Sequence, residues 1–368
     1  MGHKDDYDST GKTKGQAEKA RWTVLASFFA LGLCLGVVVA ERVYVQKRAL
    51  IPKPRQLVST VSNALHSVGH HAPAAPRNEL EAYLMQIAPN KELLLAVANK
   101  NTMWDGMLDT FTQGIKRAKV ANHMILALDQ QTADWCKQNG INAHFMNLTI
   151  AATQQGTGDN HAVSAMKFGI LKNFVELGWS VLLSDVDIAI FQNPFENLYR
   201  DSDVEGMTDG FDEHTAYGSI EGFDDPSMGW GRYAQYYKHF NMNSGLFYLK
   251  ANNRTLDLLT RLAYRLSHEK YWDQTAYNEE IFFLSHGSYK SPQVSVRVME
   301  IDKFMNSKRL FKDIRHRPKS QQPPLPVMVH INYHPDKHER MKAVIKWYIG
   351  GDEHALDAFP GGSEKGTR

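Results

Sequence analysis

Two aspartates one residue apart, Asp185 and Asp187, are the most chemically suggestive feature of this 368-residue chain. They sit in Val181–Phe195, VLLSDVDIAIFQNPF, between the apolar run Val181–Leu183 and the apolar stretch Ile188–Phe191, with a turn at Asn193-Pro194. In extended backbone, residues i and i+2 point to the same side, so one strand end would present both carboxylates in one direction. Like charges held that close favour protonation or a cation between them. Mn²⁺ or Mg²⁺ meets that need at neutral pH and completes its shell with water and phosphate oxygens. Glycoside hydrolysis also uses two carboxylates, but these must flank the scissile bond from opposite sides. Two neighbours on one strand do that poorly.

A second cluster lies far along the chain, in VMVHINYHPDK. Val327–Val329 reads as a strand, His330 follows it, and His334 and Lys337 occupy the next loop. A lone histidine is usually structural. Here the same loop supplies a lysine, and imidazole can complete a carboxylate metal site. Thr215–Tyr237 is rich in Gly, Asp and aromatics, which suits sugar rings as well as loop packing.

The elements that must position these groups alternate. Glu92–Asn99, Met124–Leu128, Ala143–Leu148 and Ser180–Ser184 read as strands. A helical pattern through Ala118, then Thr132–Asn139 and Val163–Leu177, read as the helices between them. Such alternation predicts an α/β fold with a parallel sheet and right-handed crossovers. The nucleotide end would be the loop Asn99–Thr102, and ligands in such sheets sit beyond the carboxyl ends of the strands. No Gly-x-Gly-x-x-Gly or P-loop occurs there, which argues against dinucleotides and ATPases. Past Asp187 the pattern changes to Glu205–Gly210, Asn243–Leu249, a helix at Thr255–Ser267 and a segment Tyr271–Phe283 containing Asp273 and Gln274.

Composition is that of a globular protein, 43% hydrophobic and 22% charged. A net charge of +2 gives no reason to expect nucleic acid. Cys34 and Cys136 are the two cysteines, so no disulfide framework exists. Trp22–Ala40 carries no charge and is long enough to cross a bilayer as one helix. It lacks a clear small-x-small cleavage site, so an uncleaved anchor is preferred to a signal peptide. Residues 1–21 form a tail, 22–40 the span, 41–88 a Pro-interrupted stem ending in a helix at Glu79–Ile87, and 89–368 the catalytic domain. The sequons at Asn147 and Asn253 would then face the lumen; Asn253 also stands where a helix N-cap belongs.

DVD at 185–187, NSG at 243–245, WDQ at 272–274 and HINYHPDK at 330–337 resemble, in this order, retaining metal-dependent glycosyltransferases of the GT-A fold. MTDGFDEHTAYG, MGWGRYAQYY, NSGLFYL, WDQTAYNEEIFF, FMNSK and VHINYHPDKHERM resemble glycosyltransferase family 77, in particular its "reduced residual arabinose" arabinosyltransferases. The resemblance runs from about Glu92 to Ser363. It implies a nucleotide-diphospho-sugar transferase with a Rossmann-like mixed sheet, anchored as a type II protein of the Golgi membrane with its catalytic domain in the lumen. The implied reaction moves L-arabinofuranose from UDP-β-L-arabinofuranose to arabinosylated hydroxyproline of extensin-like, hydroxyproline-rich cell-wall glycoproteins. Xylosyl or galactosyl transfer to a cell-wall polysaccharide, and an inactive Golgi scaffold, are the rival readings.

The resemblance also assigns roles. Asp185, Asp187 and His330 would hold Mn²⁺ or Mg²⁺. Lys337 would meet the diphosphate, Asn99, Asn101 and Thr102 the uridine, and Lys167 the donor phosphate or sugar. Asn243, Asp273 and Gln274 would face the sugar, with Asp273 and Gln274 catalytic. An alternative for Asp273 is a helix N-cap, with Gln274 exposed.

Overall fold

The computed structural model describes residues 75–147, 159–221, 236–282 and 294–361. The expected anchor 22–40, most of the stem and residues 222–235 of the aromatic loop lie outside them. Among the described residues no helix is long and apolar enough to cross a membrane.

Helix α1 (Glu79–Ile87) starts where Asn78 accepts a hydrogen bond from the Glu81 backbone, and it buries Leu84 against the sheet. Strand β1 (Glu92–Ala98) follows, and its alternation explains the layers. Leu94, Ala96 and Ala98 enter one core, and Leu93 and Leu95 the other. A strand buried on both faces reads as an apolar run, as in a sheet covered by helices on each side. Each such large side chain contributes about 1.5–3 kcal/mol on burial.

The chain continues through α2 (Lys100–Trp104), α3 (Met107–Arg117), β2 (His123–Ala127), α4 (Gln130–Gln138), β3 (Ala143–Phe145), α5 (Asp159–Glu176) and β4 (Ser180–Ser184). Strands β4, β1, β2 and β3 are parallel neighbours in that spatial order, as the alternation predicts. β3 is shorter than expected.

Beyond β4 the architecture departs from simple alternation. β5 (Ile188–Ile190) leaves the main sheet, β6 (Val204–Thr208) and β9 (Met242–Leu249) return to it, and β7 (Ser219–Glu221) pairs with β8 (Tyr236–Lys238). β9 lies antiparallel between β4 and β6. With β10 (Val296–Val298) at the edge, the mixed sheet reads β10-β6-β9-β4-β1-β2-β3. A second sheet, β11 (Phe304–Asn306), β12 (Met328–His330) and β5, stands beside it. His330 is therefore the last residue of a strand, paired opposite Ile188, and does not merely follow one.

Helices α3 and α9 (Lys337–Tyr348) cover one face, with Phe111, Ile115, Met341 and Val344 buried. Helices α5, α7 (Asn253–His268) and α8 (Asp273–Phe282) cover the other. The short helix α6 (Glu213–Tyr217) lies between β6 and β7.

The expected cap of α7 moves by one residue. Asn252, not Asn253, caps the helix: its side chain accepts from the Arg254 and Thr255 backbones, and Thr255 reciprocates. Asn252 also donates to the buried Asp203 at 2.8 Å. Asn253 is exposed. Loss of a cap costs about 1 kcal/mol, whereas exposed substitutions stay within roughly 0.5 kcal/mol. Denaturant unfolding of unglycosylated protein should therefore show Asn252→Ala destabilised and Asn253→Ala near wild type; the reverse order would restore the cap to Asn253.

Candidate active site

The extended-backbone argument for Asp185 and Asp187 needs revision. β4 ends at Ser184, and residues 185–187 form a turn that passes from one sheet to the other. The Asp185 backbone N–H donates to the Gly245 carbonyl on β9 at 2.7 Å. The Asp187 carbonyl accepts from the Ile331 N–H at 2.9 Å, just past β12. Each aspartate is thus fixed by a different sheet, and His330 arrives from the second.

The result is a tight donor set. Ligand atoms of Asp185, Asp187 and His330 lie within 4.8 Å of one another. Asp187 Oδ1 is buried 3.1 Å from His330 Nε2, yet no hydrogen bond reaches it. An orphaned carboxylate oxygen facing an imidazole nitrogen fits a divalent cation, with two hard oxygens and a borderline nitrogen. Gly245 makes the space: a Cβ there would stand 2.4 Å from Asp185 Oδ2 and 2.7 Å from His330 Cε1.

Lys337 Nζ reaches Asp187 Oδ2 at 2.6 Å. Burial alone would raise the Asp187 carboxyl, but His330 and Lys337 outweigh it and hold its pKa well below the usual carboxylate range. Asp185 moves the other way: burial dominates and raises it, against the attraction of Lys167. The two carboxylates are thus held in unlike electrostatic settings, with Lys337 against Asp187.

Two clefts meet at this cluster. One, about 560 Å³, is lined by Asn99, Asn101, Thr102, Asp105 and His334. The other, about 710 Å³, is lined by Asp209, Asn243, Gln274, Asn332 and Tyr333. Lys167, Asp185 and Lys337 border both. In the first cleft Asn99 and Thr102 form the capping box of α2, each side chain bonded to the other's backbone. Asn101 is the exposed one of the three. His334 is buried against Phe311, and burial and then Arg340 lower its pKa to about 4, so the ring is neutral at physiological pH.

Lys167 and Asp273 form a buried ion pair at 2.8 Å. Lys167 also donates to the Ser244 carbonyl at 2.9 Å, and Ser244 Oγ donates to Asp273 at 3.0 Å. Burial opposes both charges, yet Asp273 and Asp185 keep the Lys167 pKa raised, and Lys167 keeps that of Asp273 lowered. Asp273 is the first residue inside α8 and not its cap. Gln274 is not exposed: its Oε1 accepts from the Ser244 N–H at 3.2 Å and its Nε2 donates to Asp209 at 2.6 Å. Asp209, Ser244, Asn332 and Tyr333 carry no role in the sequence-based assignment. The signal that could have found them was their membership in the runs MTDG, NSG and HINY.

The mixed sheet with two clefts meeting at an acidic cluster beyond β4 fits a glycosyltransferase of the GT-A fold, the class to which the family comparison assigns the chain. The chain belongs to the nucleotide-diphospho-sugar transferase family, whose model matches residues 118–344. Within it the chain is similar to Arabinosyltransferase RRA2 of Arabidopsis thaliana, 46% identical over 77% of this chain and 66% of that protein. It is also similar to Arabinosyltransferase RRA1 of Arabidopsis thaliana, 40% identical over 79% of this chain and 71% of that one. The matched part is thus about two thirds of each relative's length. The crystal structure of an active-site mutant of LgtC covers 70% of this chain and 96% of its own, at 13% identity and a TM-score of 0.43.

Two outcomes follow from the geometry. Gly245→Ala should weaken Mn²⁺ binding by about 10–100-fold, as displacing the support of a ligand does, with the fold retained; unchanged Mn²⁺ titration by electron paramagnetic resonance would reject the crowding argument. Asp273→Asn leaves Lys167 without its closest partner, and breaking a buried pair costs roughly 3 kcal/mol or more. Its melting temperature should fall clearly, where a mere cap would tolerate the change.

Proposed function

We propose that this chain transfers L-arabinofuranose, with retention, from UDP-β-L-arabinofuranose to arabinosylated hydroxyproline of extensin-like glycoproteins, in the Golgi lumen. The observation that carries transfer from a nucleotide sugar is the convergence of Asp185, Asp187 and His330 where two clefts meet. The arabinose assignment draws its support from the names of the relatives. The type II topology rests on the uncharged segment 22–40.

UDP would lie in the cleft of Asn101 and Lys337, and the sugar in the cleft of Asn243, Gln274 and Asp209. Mn²⁺ held by Asp185, Asp187 and His330 would act as a Lewis acid on the diphosphate. Lys337 adds positive charge at the point where the leaving group becomes more negative. The bond from the anomeric carbon to the β-phosphate oxygen breaks, and its electron pair stays with UDP. The acceptor hydroxyl oxygen bonds to the same face of that carbon, and its proton passes to the departing phosphate oxygen. A covalent route through Asp273 is disfavoured, because its carboxylate is buried and paired with Lys167.

The test is a donor panel of UDP-arabinofuranose, UDP-xylose and UDP-galactose against an arabinosylated hydroxyproline peptide. It should be run on sealed and detergent-opened microsomes, with and without Mn²⁺. Transfer should be selective for arabinofuranose, require the cation, and emerge on opening, since the peptide cannot cross the membrane. Selectivity for another sugar would overturn the donor, and full activity in sealed vesicles the topology.

A further inference from the structure

The wall of the second cleft contains a pattern that the transfer reaction as written leaves without a role. Three carboxamides point their NH₂ groups at one carboxylate, Asp209. Asn243 Nδ2 donates to Asp209 Oδ1 at 2.8 Å, Gln274 Nε2 to Oδ2 at 2.6 Å, and Asn332 Nδ2 to Oδ1 at 3.5 Å. Tyr333 stands beside the same carboxylate, and burial first and Asp209 second raise its pKa. Tyr333 reaches this position with φ of 69°, a left-handed backbone that a bulky side chain adopts only under constraint.

The opposite end of each amide is also fixed. The Gln274 oxygen accepts from the Ser244 N–H at 3.2 Å, the Asn243 oxygen from the Gly245 N–H at 2.8 Å, and the Asn332 oxygen from the Ser307 N–H at 3.2 Å. A backbone N–H can only donate, so an amide oxygen must face it and the NH₂ must face Asp209. The second N–H of Asn243 and of Gln274 takes no acceptor among the described residues, while that of Asn332 is turned to the Tyr333 oxygen. All five side chains line the cleft.

We propose that Asp209 is a positioning residue, resting on the transferase reading above. It locks Asn243, Gln274 and Asn332 in one orientation and so sets the free N–H groups of Asn243 and Gln274 as a donor pair for the ring and hydroxyl oxygens of a neutral sugar. A carboxylate offers about four lone-pair sites, and three amide donors are engaged with them here. Both Asp209 oxygens are engaged by these amides, which assigns the residue to positioning and not to nucleophilic attack. Its charge polarises the amides, which strengthens the hydrogen bonds they make on the cleft side.

Asp209→Asn tests this, because an NH₂ in place of one oxygen confronts at least one amide with a donor and turns it. Calorimetry in Mn²⁺ gives the affinity for UDP and for whichever of UDP-arabinofuranose, UDP-xylose or UDP-galactose the wild type binds best. UDP affinity should change by no more than about twofold, while the sugar's added affinity falls at least about 10-fold and kcat about 10²-fold. Gln274→Met, which removes one donor and leaves Asp209 intact, should lower the same ratio to a smaller degree. It carries the test if Asp209→Asn does not fold. An unchanged ratio in either folded variant overturns the proposal. So does azide rescue of Asp209→Ala with release of a glycosyl azide, which would make Asp209 the nucleophile. The wild type's choice of sugar tests the donor assignment; the ratio tests Asp209 for any sugar chosen.

Discussion

Everything in this site depends on a three-residue crossing between two sheets. Asp185 is tied by its N–H to β9 of the large sheet, and Asp187 by its carbonyl to the residue after β12 of the small one. Neither tie involves a carboxylate. The backbone is therefore set by sheet hydrogen bonds, and the acidic groups remain available for a cation. Rigid support of this kind is what electrostatic catalysis requires, since donors and charges fixed beforehand need no reorganisation during reaction.

The charges around that crossing are balanced in space. Lys167 pairs with Asp273, Lys337 pairs with Asp187, and both lysines feel the charge of Asp185. A site with this many buried acids would be expensive if the lysines were absent. The two lysines differ in setting. Lys167 is enclosed and tied to Ser244, so it acts as a fixed part of the wall. Lys337 is two-fifths exposed at the mouth, where its four-carbon stem can turn toward phosphate oxygens.

The parallel half of the sheet was legible because its strands are apolar runs separated by amphipathic helices. Helix α1 was placed at Glu79–Ile87 as the end of the stem, and those are its observed bounds. Of the small sheet only β12 was read as a strand, one residue early. β5 and β11 have three residues each, too few for any period to emerge, and the pairing of β12 with β5 joins segments more than a hundred residues apart. The candidate metal-binding cluster could be named from carboxylate spacing and a strand-end histidine, although the backbone that delivers it is a turn. Asp209 escaped notice for a related reason. A single aspartate in Thr-Asp-Gly reads as an ordinary turn, and the three amides that give it meaning come from β9, α8 and the loop after β12. The cap of α7 was misplaced by one residue because Asn252 and Asn253 are chemically alike, and only the backbone geometry separates them.

The convergence of three amides on one carboxylate also bears on how such a cleft can diverge. Each amide is oriented through a shared acceptor, so replacing one alters the setting of the other two. Substitutions in this wall should be epistatic, with single steps passing through poorly organised intermediates. A lineage that changes its sugar would then find easier routes elsewhere, through residues that meet the substrate without belonging to the network. The amide fan would drift as a block or stay as it is.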